Sequence, residues 1–292
     1  MRVRLEDYPF LLGLQRIDGA LVCAAVLISS RYSMTAGKCV AKPGDLFLPA
    51  PSGFRLIGGI SRTDRHGVSE NFEVRVPEMF YVHPNFSQGL FTYGIYHNDI
   101  IVIEVKKPFQ TSLLKPVSRY LPAGNPNSMM FAVELQKAMR YLCMVVGWQK
   151  DSVFSKYESM KLVGHVVTLI KNTDCLDSFC KSGSELCNEN LKSEESLICG
   201  LAGSKAASCN IDSAGVLICE GSFTGFLSWK PKCGFSRTKV PNIFNAFWPS
   251  VDFFKNFTTN MATVPTPRFK SGLLAATPNV EMKPDASSHQ RP

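Results

Sequence analysis

Three short segments of this 292-residue chain carry side chains that could perform nucleophilic chemistry. Ser213 lies within residues 208–219, Lys38 precedes a cysteine, and Asp99 stands directly before an apolar run. A serine hydroxyl becomes a nucleophile when an adjacent base takes its proton, and a lysine can be that base only as the neutral amine. Because an ordinary lysine has a pKa of about 10.4, a fraction on the order of 10⁻³ or less is neutral at pH 7. These residues therefore suggest acyl-transfer chemistry with an ill-suited base.

The segment around the serine resembles the nucleophile loop of trypsin-like (chymotrypsin-fold) serine proteases, D-S-C-x-G-D-S-G-G-P-L-x-C. Here the segment reads Ser208-Cys209-Asn210-Ile211-Asp212-Ser213-Ala214-Gly215-Val216-Leu217-Ile218-Cys219. Met34–Cys39 resembles the family's T-A-A-H-C segment and Asn98–Ile103 resembles N-D-I-A-L-L, in the family's order. The resemblance implies that Ser213 is in the nucleophile position and Asp99 in that of the orienting acid. Lys38 then replaces the catalytic histidine.

The spacing of apolar runs predicts an all-β fold. Short runs rich in β-branched and aromatic residues recur between Gly, Pro, Asn and Ser, which favours a barrel or sandwich without long helices. The runs are Phe54–Ile60, Phe72–Val76, Ile100–Val105, Met144–Trp148, Leu162–Ile170, Val216–Cys219 and Phe223–Trp229. The resemblance implies two six-stranded antiparallel β-barrels joined by a crossing near residues 118–140. The expected boundaries within the S1-like domain, residues 1–257, are about 8–120, 121–247 and a closing helix at 248–257.

Composition places the chain outside the reducing compartments of the cell. Ten cysteines indicate an oxidising environment, and Asn85 and Asn256 begin glycosylation acceptor tripeptides. No apolar run is long enough to predict a membrane span. Because residues 1–18 contain no signal peptide, we expect the true amino terminus to lie upstream of Met1. Residues 258–292, rich in Pro, Ser, Thr and Ala, are expected to be a disordered tail.

The resemblance also implies a disulfide framework. Its four bridges are Cys23–Cys39, Cys143–Cys219, Cys175–Cys199 and Cys209–Cys233. Cys180 and Cys187 have no partners in the family's common pattern, so they could pair with each other, or either could displace Cys175 as the partner of Cys199. Because this cluster has no C-x-x-C spacing and no nearby histidine, we expect neither a metal nor a cofactor.

Two separate parts of the catalytic machinery depart from the family pattern. An acidic neighbour favours the charged form of a lysine, so we expect Lys38 and Asp99 to form a structural ion pair. The family's oxyanion hole uses the backbone N–H of the nucleophile, here Ser213, and that of a glycine two residues earlier, here Ile211. Losing one such donor costs roughly 10²–10³ in rate. Ala214 replaces another glycine of the same turn, so the sequence predicts an inactive homologue.

The specificity pocket departs from the family pattern as well. Ala207 occupies the position where trypsin-like enzymes hold an aspartate for Arg or Lys. Ser228-Trp229-Lys230 resembles the S-W-G wall that pairs with a substrate backbone, with a bulky lysine in place of glycine, and Asn242 replaces a pocket glycine. The resemblance therefore implies no trypsin-like preference and an obstructed cleft.

The segment needed for activation is missing from residues 1–7, and the residues that remain at or near the catalytic positions can be assigned structural roles. Residues 1–7 contain no I-V-G-G segment, whose freed amine in active members pairs with the acid beside the nucleophile, here Asp212. We interpret Asp212 as filling the space behind the loop and Ser213 as a small turn residue. His97, two residues before Asp99, is interpreted as an ordinary strand or loop residue rather than a displaced base. The other histidines lack carboxylate or cysteine spacing that would single them out: His66, His83, His165 and His289.

The sequence thus predicts a secreted, non-catalytic serine protease homologue that acts by binding an extracellular protein. A protease or its substrate is the expected partner, in a regulatory or cofactor role in an extracellular protease cascade. One alternative is a weakly active hydrolase that uses Lys38 as the base. Another is a polyanion-binding protein, because the net charge is +8, although the charges are scattered rather than in runs. Nucleic acid is not expected as a partner.

Overall fold

The computed structural model describes residues 3–41, 48–63, 68–91, 95–110, 114–117, 126–150, 160–184, 186–203, 214–231, 240–255 and 257. The first sheet contains β1 (Leu11–Arg16), β2 (Leu21–Leu27), β3 (Tyr32–Thr35), β4 (Phe54–Ile60), β5 (Val68–Arg75), β6 (Pro77–Val82) and β9 (Ile101–Val105). A separate hairpin is formed by β7 (Ser87–Phe91) and β8 (Ile95–His97).

The first sheet closes through one continuous stretch of chain. Its strand order is β5-β4-β1-β2-β3-β9-β6, so that β5 and β6 are its two edges. These edges are consecutive in sequence and are separated only by Val76. Pro77 cannot donate a backbone hydrogen bond, which suits the first position of a strand. The continuous run formed by β5 and β6 therefore pairs with β4 through its first half and with β9 through its second. Because β5 and β6 count as one strand, the first barrel has the predicted six.

The second barrel is a closed ring of six antiparallel strands. Its members are β10 (Leu142–Lys150), β11 (Met160–Ile170), β12 (Leu197–Ala202), β13 (Val216–Cys219), β14 (Ser222–Trp229) and β15 (Asn242–Ala246), in the order β10-β11-β12-β15-β14-β13. Gly225 allows β14 and β15 to approach, because a Cβ there would overlap the carbonyl oxygen of Asn245. One large apolar core includes residues of both barrels. The two-barrel prediction is confirmed.

Two helices were not anticipated by the strand pattern. The first, α1 (Pro126–Ala138), lies in the expected crossing, and the second, α2 (Asn172–Lys181), follows β11. The helix α1 buries Met129, Val133 and Lys137 but exposes apolar residues on its other side, so its sequence lacks the usual amphipathic signal. Near the carboxyl end, a 3₁₀ turn leads into α3 (Val251–Lys255), the expected short closing helix. No helix in the described part of the chain has the length and apolarity needed to cross a bilayer.

A buried lysine fastens α1 to the second barrel. The ammonium of Lys137 donates hydrogen bonds to Glu134 Oε1 at 2.7 Å, to Asn172 Oδ1 at 3.1 Å and to the carbonyl oxygen of Leu197 at 3.1 Å. Burial lowers the pKa of this amine, and the neighbouring Glu134 opposes that effect. All three ammonium protons thus have acceptors, as a buried cation requires.

Four disulfides link the described residues. Three are pairs implied by the family resemblance: Cys23–Cys39, Cys143–Cys219 and Cys175–Cys199. Cys180 pairs with Cys187, which is one of the two alternatives left open by the sequence. This pair and Cys175–Cys199 both anchor α2. The predicted pair Cys209–Cys233 lies outside the described residues.

A buried histidine makes the fold sensitive to acid. The ring of His83 is 8% exposed, packs against Phe253 with 4.9 Å between ring centroids, and accepts a hydrogen bond from the backbone N–H of Asn85 at Nδ1. Burial lowers the pKa of His83 from 6.5 to about 4. Protonation at Nδ1 would replace the acceptor by a donor facing that N–H. The neutral ring is therefore the form that the fold stabilises.

We expect this histidine to cost the protein stability as the pH falls. Between pH 6.5 and about 4 the unfolded chain binds the proton that the folded chain excludes, so the free energy of unfolding decreases with decreasing pH across this window. The loss should be about 2 kcal/mol, after a discount for partial solvent screening. Urea unfolding of the natural chain and of a His83→Phe variant at pH 7 and pH 4.5 measures it. Equal acid losses in the two proteins would contradict the assignment.

Candidate functional site

The residues that resemble a catalytic centre come from both barrels. Lys38 lies in the short 3₁₀ turn Gly37–Cys39 that follows β3, and Asp99 lies two residues before the start of β9. The strand β14 of the second barrel brings the backbone of Leu227 and Ser228 to the same place. The described part of the site thus lies where the two barrels meet.

Asp99 is held in place by the turn that carries Lys38. The residue is 1% exposed, and its Oδ1 accepts a hydrogen bond of 2.7 Å from the backbone N–H of Lys38. Gly37 permits this approach, because a Cβ there would lie 3.3 Å from Asp99 Oδ1 and 3.2 Å from the ring of Phe86. Asn98 has a φ of +49°, a backbone conformation that asparagine tolerates better than most residues. The chain therefore turns sharply just before the carboxylate.

The ammonium of Lys38 binds the second barrel rather than the carboxylate. Its Nζ donates to the carbonyl oxygen of Leu227 at 3.2 Å and to that of Ser228. The hydrogen bond to Asp99 comes instead from the lysine backbone. The ion pair expected from the sequence is thus replaced by an arrangement in which the two charges attract each other without a direct side-chain bond.

Burial is the main influence on both charged groups. It lowers the pKa of Lys38, which the negative charge of Asp99 opposes and the positive charge of Lys230 reinforces. Burial also raises the pKa of Asp99, against the opposing effects of the Lys38 charge and of the backbone N–H groups of Lys38 and Gly37. Asp99 therefore favours the charged form of Lys38, as the sequence suggests, but burial acts in the opposite direction and is the larger effect.

The carbonyl of Leu227 connects the base position to the nucleophile loop. It accepts a hydrogen bond from the backbone N–H of Ala214 at 3.3 Å in addition to that from Lys38, and the N–H of Leu227 donates to the carbonyl of Gly215 at 2.8 Å. Ala214 is fully buried and has a φ of +56°, in the left-handed region that favours glycine. The glycine that the family pattern places here would adopt this conformation without the strain that a Cβ adds.

Two further residues link the two halves of the domain, a role that the sequence analysis gave to neither of them. The side chain of Asn245 donates to the carbonyl of Tyr96 and to Ser228 Oγ, each at 3.2 Å. His97 Nδ1 lies 3.7 Å from Glu194 Oε2, so this histidine contacts the second barrel. The only sequence signal for Asn245 is a polar residue within the apolar strand β15. Such a residue calls for a buried hydrogen-bond partner.

The remaining predicted site residues fall into two groups. Asn242 is buried, Trp229 and Lys230 are half-buried, and Asn85 is exposed in a turn, where a glycosylation enzyme could reach it. Other predicted residues lie outside the described part of the chain, and the roles expected of them stay predictions: Ala207, Cys209, Ile211, Asp212, Ser213, Cys233 and Asn256. Within the described part of the chain, no cluster of His, Cys, Asp and Glu is suited to a metal ion.

This geometry uses Lys38 as a hydrogen-bond donor. A general base needs its lone pair directed at the proton that it abstracts. Each hydrogen bond described for this amine instead points an N–H at a backbone oxygen. The carbonyl of Ser228, in the wall that pairs with substrate backbone in the family the chain resembles, thereby accepts an internal hydrogen bond.

Comparisons with known proteins agree with the fold. The family model for trypsin matches residues 2–253. A snake venom serine protease homolog from Protobothrops jerdonii is 26% identical over 257 residues, which cover 86% of this chain and 83% of that protein. The thrombin-like enzyme flavoxobin from Protobothrops flavoviridis is 26% identical over 237 residues, covering 80% of this chain and 76% of that protein.

A solved structure shows the same architecture. Neuropsin, a serine protease expressed in the limbic system of mouse brain, superimposes with a TM-score of 0.60 at 19% identity, covering 88% of this chain and 97% of that one. At this identity the likeness concerns the fold. The match to the trypsin family model, in contrast, covers most of the sequence. The chain belongs to the trypsin family of serine proteases.

Proposed function

We propose that this protein is a non-catalytic member of the trypsin family that acts outside the cell by binding another protein. The observation that carries the proposal is the position of the Lys38 ammonium, which donates to the carbonyl oxygens of Leu227 and Ser228. The residue in the place of the catalytic base therefore fastens one barrel to the other. As the ammonium, Lys38 has no lone pair with which to accept a proton from a serine hydroxyl.

The same contact argues against ordinary substrate docking. In the family that the chain resembles, the strand at Ser228 pairs with the main chain of the substrate. Here the carbonyl of Ser228 is engaged by an internal cation, and a substrate N–H would have to compete with a charge-assisted hydrogen bond, the stronger kind. Lys230, two residues further on, adds a second positive charge near the site. Peptide hydrolysis is thus disfavoured at the binding step as well as at the chemical step.

The relatives support the proposal of a protease homologue but do not identify its binding partner. The relatives include proteins called serine protease homologs and a protein called a thrombin-like enzyme. The four disulfides fit an oxidising compartment. We infer an extracellular protein partner, a protease or a protease substrate, whose contact does not require bond cleavage.

One observation favours a second candidate function, a weak hydrolase that uses Lys38 as its base. Burial lowers the pKa of this amine, and a lowered pKa is what a lysine base needs. A neutral amine could keep both hydrogen bonds to the carbonyls and still present a lone pair. Such an enzyme would gain activity as the pH rises through the pKa of Lys38.

Labelling by a serine-directed organophosphonate separates the two candidates. We expect no labelling of Ser213 in the folded natural chain between pH 6 and pH 10, and no cleavage of a mixed peptide library. Labelling that increases with pH and disappears in a Lys38→Met variant would establish the second candidate instead. A Ser213→Ala variant controls for reaction at other hydroxyls, and mass spectrometry of the labelled peptide identifies the site.

A further inference from the structure

The helix α1 presents an exposed apolar stripe. Phe131, Leu135 and Met139 follow one another at intervals of four residues and are 71%, 51% and 68% exposed. Residues four apart lie on one face of a helix, and the N–H of Met139 still donates to the carbonyl of Leu135 at 2.9 Å. The opposite face of α1 is buried through Met129 and Val133. The stripe is therefore additional to the surface that attaches the helix to the barrels.

The stripe has an internal symmetry about its central residue. Large apolar side chains lie four residues before and after Leu135, at Phe131 and Met139, and exposed alanines lie three residues before and after it, at Ala132 and Ala138. In two antiparallel helices related by a two-fold axis at Leu135, Leu135 faces its own copy. The other two large side chains, Phe131 and Met139, then lie beside the alanines of the other helix. Alternation of large and small residues is what close helix packing requires.

The charge distribution permits such a contact between identical chains. The three residues of the stripe and the two alanines beside them are uncharged, although the chain carries a net charge of +8. The neighbouring Glu134 is already bonded to the ammonium of Lys137 at 2.7 Å. Two copies can therefore bring these faces together without burying like charges, and a two-fold contact uses the same patch on both subunits.

We propose that α1 is a self-association surface on which two copies of this chain pair with their helices antiparallel. The exposed parts of the three large side chains amount to roughly 300–400 Å² per copy, and both copies together to less than the roughly 1,200 Å² typical of stable complexes. The dimer is accordingly weak and transient. It forms whether or not the protein has catalytic activity, because it uses none of the residues of the candidate site.

Sedimentation equilibrium of the full chain from 1 to 300 μM tests the proposal, with Leu135→Glu and Leu135→Lys variants beside the natural protein. Because Leu135 faces its own copy across the axis, each variant alone places like charges together and should raise the dissociation constant at least tenfold. An equimolar mixture of the two variants should recover the natural value within about threefold, since the mixed dimer pairs opposite charges. Fluorescence transfer between separately labelled variants measures that mixed dimer.

The matched control is Ile17→Glu, which charges an apolar residue that is 68% exposed, more than Leu135, and lies away from α1; it should leave the dimer unchanged. If a charged Leu135 variant fails to fold by circular dichroism, Phe131→Ser and Met139→Ser serve instead, each with an expected weakening of about threefold or more. A natural chain that stays monomeric at 300 μM overturns the proposal. This holds even if the stripe of the monomer binds another apolar surface, such as that of phosphatidylcholine vesicles. A variant mixture that associates no better than its components overturns the antiparallel arrangement.

Discussion

A Lys38→Met variant should unfold with a free energy roughly 2–4 kcal/mol lower than that of the natural chain. The substitution keeps most of the side-chain volume but removes the donor that satisfies the carbonyl oxygens of Leu227 and Ser228. It also removes the cation that opposes the burial cost of Asp99. Removing one partner of a buried charge pair generally costs about 3–5 kcal/mol, and the partial exposure of Lys38 reduces this figure. Urea unfolding at pH 7 measures the difference.

Two companion variants isolate the cause. Asp99→Asn in the Lys38→Met background should recover part of the loss, because the buried acid is no longer left without a counter-charge. Lys230→Met, which removes a nearby charge but leaves the donor to the two carbonyls in place, should cost less stability than Lys38→Met. A Lys38→Met variant as stable as the natural chain would mean that the amine does not fasten the barrels together.

The same lysine should give the natural protein a pH dependence that the variant lacks. The pKa of Lys38 is lowered in the folded chain, so between that pKa and the ordinary value of 10.5 the unfolded chain binds more protons. The free energy of unfolding should therefore rise with pH in this window. Since Lys137 contributes a slope of the same sign, the effect of Lys38 is the part lost in Lys38→Met.

The second large effect concerns reactivity. A variant combining Lys38→His, Ile211→Gly and Ala214→Gly should react with a serine-directed organophosphonate at least about 100-fold faster than the natural chain. Histidine is a base suited to neutral pH, and an oxyanion donor alone is worth roughly 10²–10³ in rate. Glycine also suits the φ of +56° at position 214 better than alanine does. The labelling rate at pH 7.5 measures the gain.

Adding Ser213→Ala to the combined variant should abolish its labelling. If the combined variant gains nothing, its extension with an I-V-G-G amino terminus distinguishes a missing activation segment from an obstructed pocket. A natural chain that already reacts as fast as the combined variant would contradict the view that Lys38 cannot act as the base.

The strands were the part of the fold most accessible from sequence. Runs such as Phe54–Ile60 and Val216–Cys219 match β4 and β13 residue for residue, because alternating or continuous apolar runs follow from burial in a sheet. The helix α1 escaped prediction because it has apolar residues on two faces and a lysine on the buried one. One apolar face opposite a polar one would have revealed the helix, but its sequence has apolar residues on both faces.

The sequence could predict which residues form the candidate site, but it could not predict their hydrogen-bond partners. Lys38, Asp99 and Ser213 follow one another in the order of the family's catalytic residues. The family resemblance therefore predicted that Lys38 and Asp99 lie near each other. The acceptors of the Lys38 ammonium, however, are backbone carbonyls. Every residue has a carbonyl, so no residue type marks those of Leu227 and Ser228. Their role becomes visible only when the second barrel is placed against the first.

The position of Lys38 sets stability and proton transfer against each other at one residue. The ammonium joins the two halves of the domain through the carbonyls of Leu227 and Ser228. A histidine at this position would supply a proton acceptor but would release that attachment. A variant designed to accept a proton here would therefore need a compensating stabilising change elsewhere in the domain.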